Sequence, residues 1–160
     1  MMRVWSRYQR STQYLSTIDA SHGVEQCCFV KSHPEGSATE RPLVSVVDDD
    51  DSVRESLPDL LREFGYAART FPSAEEFLAS DCVGQTRCLI LDIAMPGMTG
   101  PELQQELIRR RQAIPTIFIT ANRDKTVRPR LLEQGAVECL FKPFSDTALL
   151  EALNAALRAS

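Results

Sequence analysis

Five short apolar runs punctuate the chain beyond residue 42: LVSVV (43–47), AARTF (67–71), CLIL (88–91), TIFIT (116–120) and VECLF (137–141). Each has the length of a strand. Between them the apolar residues return at the three- and four-residue spacing of a helix. Over 51–64, Val53, Leu57, Leu60, Leu61 and Phe64 form one stripe, and Gly65 is placed to stop it. Pro58 falls inside that pattern and predicts a kink or a loosened turn. A short helix is predicted after Ser73, and a longer one from Pro101 to about Arg111 with Leu103, Leu107 and Ile108 inward. Another ends at Gly135. The last is SDTALLEALNAALRAS, capped by Ser145 and carrying Leu149, Leu150, Leu153 and Leu157 on one face.

Strands and helices that alternate in this way predict a (βα)5 unit over residues 42–160: a parallel sheet covered on both faces, with right-handed crossovers. In such sheets ligands bind beyond the carboxyl ends of the strands, near the switch in strand order. Residues 1–41 lack sustained periodicity and end in KSHPEGSATERP, so they read as a disordered N-terminal tail. Arg3, Arg7 and Arg10, beside Val4, Trp5, Tyr8 and Tyr14, offer a short amphipathic helix as the alternative. A start codon assigned too far upstream would also leave such a tail.

Composition narrows the function. Of the 160 residues 43% are hydrophobic and 25% charged, with a net charge of -4, which suits a globular protein and not a basic nucleic-acid binder. The acidity lies in the periodic part, where 18 Asp and Glu face 13 Lys and Arg. No apolar run nears the roughly 18 residues of a membrane span, and no signal peptide is visible, so a cytoplasmic location is expected. Cys27, Cys28, Cys82, Cys88 and Cys139 lack metal-site spacing and read as reduced thiols. His22 and His33, the only histidines, both precede residue 42, which argues against histidine catalysis in the folded part.

The residues at the predicted strand ends are Asp48 and Asp49, then Asp92, Thr120, and Lys142 followed by Pro143. Three carboxylates on one sheet edge repel one another, and a hard cation such as Mg2+ is the natural answer to that repulsion. With a phosphoryl group held in line, Asp92 would be a nucleophile forming an aspartyl phosphate. Thr120 would donate a hydrogen bond to one phosphoryl oxygen, and Lys142 would pair with another. Asp50 and Asp51 read instead as acids that open a helix and gain from its dipole. Arg109 to Arg111 suit the opposite end of a helix and need no nucleic acid to explain them.

Four stretches in order, VVDDDDSVRESL, LILDIAMPGMTGPEL, PTIFITA and GAVECLFKPF, resemble the receiver domains of two-component response regulators, and the FixJ-type subgroup in particular. The resemblance covers residues 43 to about 157. It implies a flavodoxin-like (CheY-like) doubly wound fold with strand order 2-1-3-4-5. It implies further that Asp92 accepts a phosphoryl group from a phosphohistidine on a sensor histidine kinase or phosphotransfer protein. Asp49, Asp92 and the backbone carbonyl of Ala94 would bind Mg2+ directly, and Asp48 largely through water. Thr120 and Lys142 would contact the phosphoryl group, and the Lys142-Pro143 bond would be cis.

Two departures from the family pattern bear on signalling. Cys139 stands where receivers usually carry a Tyr or Phe that moves with the threonine. Pro129 falls in the expected fourth helix and should delay or distort its start. With no helix-turn-helix segment before Ser160, the leading expectation is a stand-alone receiver that acts through protein contacts and does not bind DNA directly. The alternatives are a phosphate sink or relay without its own effector, and the truncated receiver of a FixJ-type transcription regulator. A hydrolase of the aspartyl-phosphate class would need a second Asp two residues past the nucleophile, where Ala94 stands, so no turnover of external substrates is expected.

Overall fold

The structure, a computed structural model, describes residues 40–158. The tail and its candidate helix lie outside the described residues apart from Glu40 and Arg41, both exposed. Strands β1 (Leu43–Val47), β2 (Ala67–Phe71), β3 (Thr86–Asp92), β4 (Thr116–Thr120) and β5 (Glu138–Phe141) alternate with α1 (Asp51–Glu63), α2 (Ala74–Ala79), α3 (Gly100–Arg109), α4 (Val127–Glu133) and α5 (Asp146–Arg158). All strand pairs are parallel, and the order is β2-β1-β3-β4-β5, the expected doubly wound (βα)5 arrangement.

The inner strands β1, β3 and β4 read as near-continuous apolar runs because both faces of the sheet are covered there. Val44, Val46, Cys88, Ile90, Ile117 and Ile119 turn towards one core with residues of α1 and α5. Their neighbours Val47, Leu89, Leu91 and Phe118 turn towards the other with residues of α2, α3 and α4. Strand β3 starts two residues before CLIL, at a polar position. The Thr86 hydroxyl bonds the carbonyl of Cys82 at 2.7 Å and the buried Ser45 hydroxyl at 2.7 Å, so its burial is satisfied.

Local chemistry sets the helix ends. The Asp50 carboxylate accepts the Ser52 N–H at 2.9 Å and caps α1, and Gly65 ends the turn at φ +90, a conformation costly for other residues. Pro58 leaves α1 unbroken: Val53, Leu57 and Leu61 are buried on either side of it, and their packing holds the turn from which the proline removes one donor. Pro129 does not delay α4. It is the third residue of that helix, where an N–H would have no intrahelical acceptor.

Two expected inward residues face elsewhere. On α3 the buried stripe is Gly100, Leu103, Gln104 and Leu107, and Ile108 is 54% exposed, about a quarter turn off the stripe's centre. On α5 the stripe is Leu149, Ala152, Leu153 and Ala156. There the small alanines take the inner line, and Leu150 lies beside it, only partly buried.

Candidate functional site

The strand order brings residues far apart in sequence onto one edge. Asp48 follows β1, and its N–H bonds the carbonyl of Phe71 on β2 at 3.1 Å. Asp92 ends β3 in register with Ile119, one residue before Thr120 at the end of β4. The Lys142 N–H in turn reaches the Thr120 carbonyl at 2.7 Å. Each side chain is thus placed by the sheet ladder and not by a flexible loop.

Asp48 is fully buried, Asp92 and Thr120 are nearly so, and Asp49 is exposed. One carboxylate oxygen from each of Asp48, Asp49 and Asp92 lies within 4.8 Å of the others. The Lys142 ammonium donates to Asp48 Oδ2 at 2.7 Å and lies 3.3 Å from Asp92 Oδ1. The second Asp48 oxygen accepts the Asp50 N–H at 2.9 Å. The Thr120 hydroxyl accepts the Asn122 N–H at 3.0 Å, which leaves its own proton to give. Ala94 is exposed in the loop after β3, and the Lys142-Pro143 bond is cis.

These contacts set the charges. Burial, then the neighbouring Asp48 carboxylate and more weakly Asp49, push the Asp92 carboxyl up to about 6 against the pull of Lys142. Burial pulls the Lys142 ammonium downward, but its hydrogen bond to Asp48 and the charges of Asp48 and Asp92 outweigh that, so it titrates above its ordinary range. Asp50 belongs to the helix: the Ser52 hydroxyl and N–H hold its carboxyl below the usual range. Three carboxylates against one ammonium leave excess negative charge on converging oxygens, which is the donor set a hard divalent cation takes.

The family model for the response regulator receiver domain matches residues 44–154. The chain belongs to the response regulator receiver family. It is 44% identical over 119 residues to nodulation protein W of Bradyrhizobium diazoefficiens, covering 74% of this chain and 52% of that protein. To the transcriptional regulatory protein FixJ of Azorhizobium caulinodans it is 39% identical over 114 residues, 71% of this chain and 54% of the relative. The crystal structure of FixJ-N matches it with a TM-score of 0.67 at 36% identity, over 74% of this chain and 95% of that one. The chain thus spans about half the length of the curated relatives it matches. Receivers are the phosphoacceptor modules of two-component systems and bind Mg2+ at an acidic pocket. Among the described residues no helix is long and apolar enough to cross a membrane.

Three supporting residues have contacts that only the fold discloses, although Gly100 lies in a turn already expected to shape the rim of the site. Arg54 on α1 donates to the Asp48 backbone carbonyl at 2.7 Å and pairs with Asp51. Gly100 packs so closely beneath Asp92 that a Cβ there would lie 2.3 Å from the Asp92 carbonyl oxygen. A glycine opening a helix after MPGMT looks like turn chemistry, and only the fold shows the close approach. Glu75 on α2 accepts the Met98 N–H at 3.1 Å from the loop that follows Asp92.

Proposed function

We propose that Asp92 is the phosphoacceptor of this receiver and takes a phosphoryl group from a phosphohistidine donor, with Mg2+ held by Asp49, Asp92 and the Ala94 carbonyl and by Asp48 largely through water. The observation that carries this reading is the Lys142 ammonium set between Asp48 and Asp92 beside a third carboxylate. Bound there, Mg2+ would neutralise charge on the phosphoryl oxygens and on the carboxylates.

The chain's own residues supply the rest. An Asp92 oxygen forms the new bond to phosphorus as the phosphorus–nitrogen bond to the donor imidazole breaks, and the electron pair leaves with that imidazole. Without the cation, burial and the Asp48 carboxylate hold the Asp92 carboxyl up to about 6; with Mg2+ bound, the ionised carboxylate, the form that attacks phosphorus, would be favoured. Lys142 stays charged and faces the developing phosphoryl oxygens, while Asp48 orients it from the other side. Thr120 turns its free hydroxyl proton to another of those oxygens. Exclusion of solvent around Asp48, Asp92 and Thr120 strengthens each of these contacts.

The phosphorylated state would be read by a protein partner on the face formed by α4, β5 and α5. A groove of about 420 Å3 runs there, lined in part by Phe144, Ala148, Glu151 and Ala152. A second reading, a phosphate relay without its own effector, draws on Cys139: it is 2% exposed in the α2–α4 core, and its small side chain cannot repeat the swing of an aromatic ring. Incubation with Mg2+ and acetyl phosphate tests the acceptor reading. Intact mass should rise by one phosphoryl group, and a chain that stays unmodified contradicts it. A partner other than the donor that binds only the phosphorylated form would exclude the relay.

A further inference from the structure

The loop from Ile93 to Thr99 carries Ala94, whose carbonyl completes the proposed cation site, yet little holds its backbone. Its neck is closed by the Gly100 N–H to the Ile93 carbonyl at 3.0 Å, and Thr99 is tied to Glu102 by its N–H at 2.8 Å. Among the described residues, the backbone of 94–98 makes one hydrogen bond, from the Met98 N–H to Glu75 Oε1 at 3.1 Å. The same oxygen occupies the space above Gly97: a Cβ there would lie 2.9 Å from it, and the φ of +74 already excludes most side chains. Loop and carboxylate are therefore fitted to each other. Met95, 6% exposed, plugs the loop into the core that includes Ala74 and Phe77 of the same helix.

From this fit we infer that Glu75 is a positioning residue for the cation site: its hydrogen bond to Met98 holds the 94–98 backbone so that the Ala94 carbonyl is presented beside Asp92. The inference rests on the proposed Mg2+ site. Glu75 lies on a helix that contributes no ligand, and its part is to keep the loop from sampling conformers in which that carbonyl turns away. Fixing a ligand through a neighbour commonly governs metal affinity. The required feature is an acceptor oxygen at this place, not a charge.

The test is a Mg2+ titration of the isotope-labelled, unphosphorylated full chain, followed by the amide shifts of residues 92–99. Glu75→Ala should weaken Mg2+ binding by roughly three- to ten-fold, the worth of one hydrogen bond. Glu75→Gln, which keeps the acceptor, should stay within about two-fold of the parent. Glu76→Ala removes the same charge one residue along and should leave the affinity unchanged. Gly97→Ala, which intrudes on the carboxylate, should weaken binding as well. Equal affinity in Glu75→Ala and the parent overturns the inference, as does an equal loss in Glu75→Gln and Glu75→Ala. Failure of the parent itself to bind Mg2+ would instead overturn the cation site on which it rests.

Discussion

The Lys142 ammonium donates to Asp48 at 2.7 Å across 94 residues of sequence, and Asp48 has no solvent exposure at all. A buried carboxylate is tolerated only with partners, and here the ammonium and the Asp50 N–H divide its two oxygens. Because the same ammonium also faces Asp92, one residue joins the stability of the strand edge to the chemistry proposed there.

Lys142→Met should therefore destabilise the metal-free protein at pH 7 by about 2–4 kcal/mol, since it strands two buried carboxylates. Urea unfolding would show it, and saturating Mg2+ should recover part of the loss. A change below about 0.5 kcal/mol would mean that the pair is already solvated.

Asp92 gives a pH signature of known sign. Its carboxyl is raised from 3.8 to about 6 in the folded chain, so ionising it costs folding energy, and stability falls as pH rises from near 4 through 6. Asp92→Asn removes that cost. Without metal it should be more stable than the parent at pH 7 by on the order of 1–3 kcal/mol, with the gap closing below pH 4. Thermal or urea melts across pH 4–8 measure it, and Mg2+ should shrink the gap by favouring ionised Asp92.

The strand-end aspartates, Thr120 and Lys142 were legible because parallel βα alternation fixes where strand ends go, and each apolar run was closed by its chemical residue. The contacts made by the residues that support them were not legible. Arg54 acts on a backbone carbonyl and Gly100 on a backbone oxygen, and neither contact has a periodicity. Ile108 and Leu150 failed for a different reason: an apolar residue at the margin of a stripe has the spacing of the core without its angle, and Gln104 and two alanines hold the inner line. Pro58 and Pro129 show composition overruled by position, one by packing on both sides and the other by lying in a first turn.

Gly100→Ala should cost about 1–3 kcal/mol or more, because the added carbon would meet the Asp92 carbonyl oxygen at 2.3 Å and two further backbone atoms at 3.1 Å. None of those atoms can swing aside as a side chain would. Its phosphorylation rate should fall along with its melting temperature. A neutral substitution would show that α3 shifts freely against β3.

Arg128 on α4 holds Glu138 on β5 through two hydrogen bonds, at 2.7 and 2.9 Å, and the guanidinium keeps the Glu138 carboxyl below its usual range. The arginine is about half exposed, so the pair is worth about 0.2–1 kcal/mol. That stability is present above pH 4.5, the ordinary value, and is lost as pH falls through the lowered one. Arg128→Ala should lose it at pH 7 and show no difference from the parent at the acid end of a pH series of urea melts.

The central claim, that Asp92 itself carries the phosphoryl group, is tested most directly by trapping. The chain is incubated with acetyl phosphate and Mg2+, reduced with borohydride, and digested, so that an aspartyl phosphate becomes homoserine at the modified position. Homoserine at residue 92, absent when the metal is chelated and absent in Asp92→Asn, is the predicted result. An unreduced residue 92, or homoserine at Asp48 or Asp49 instead, would contradict the account.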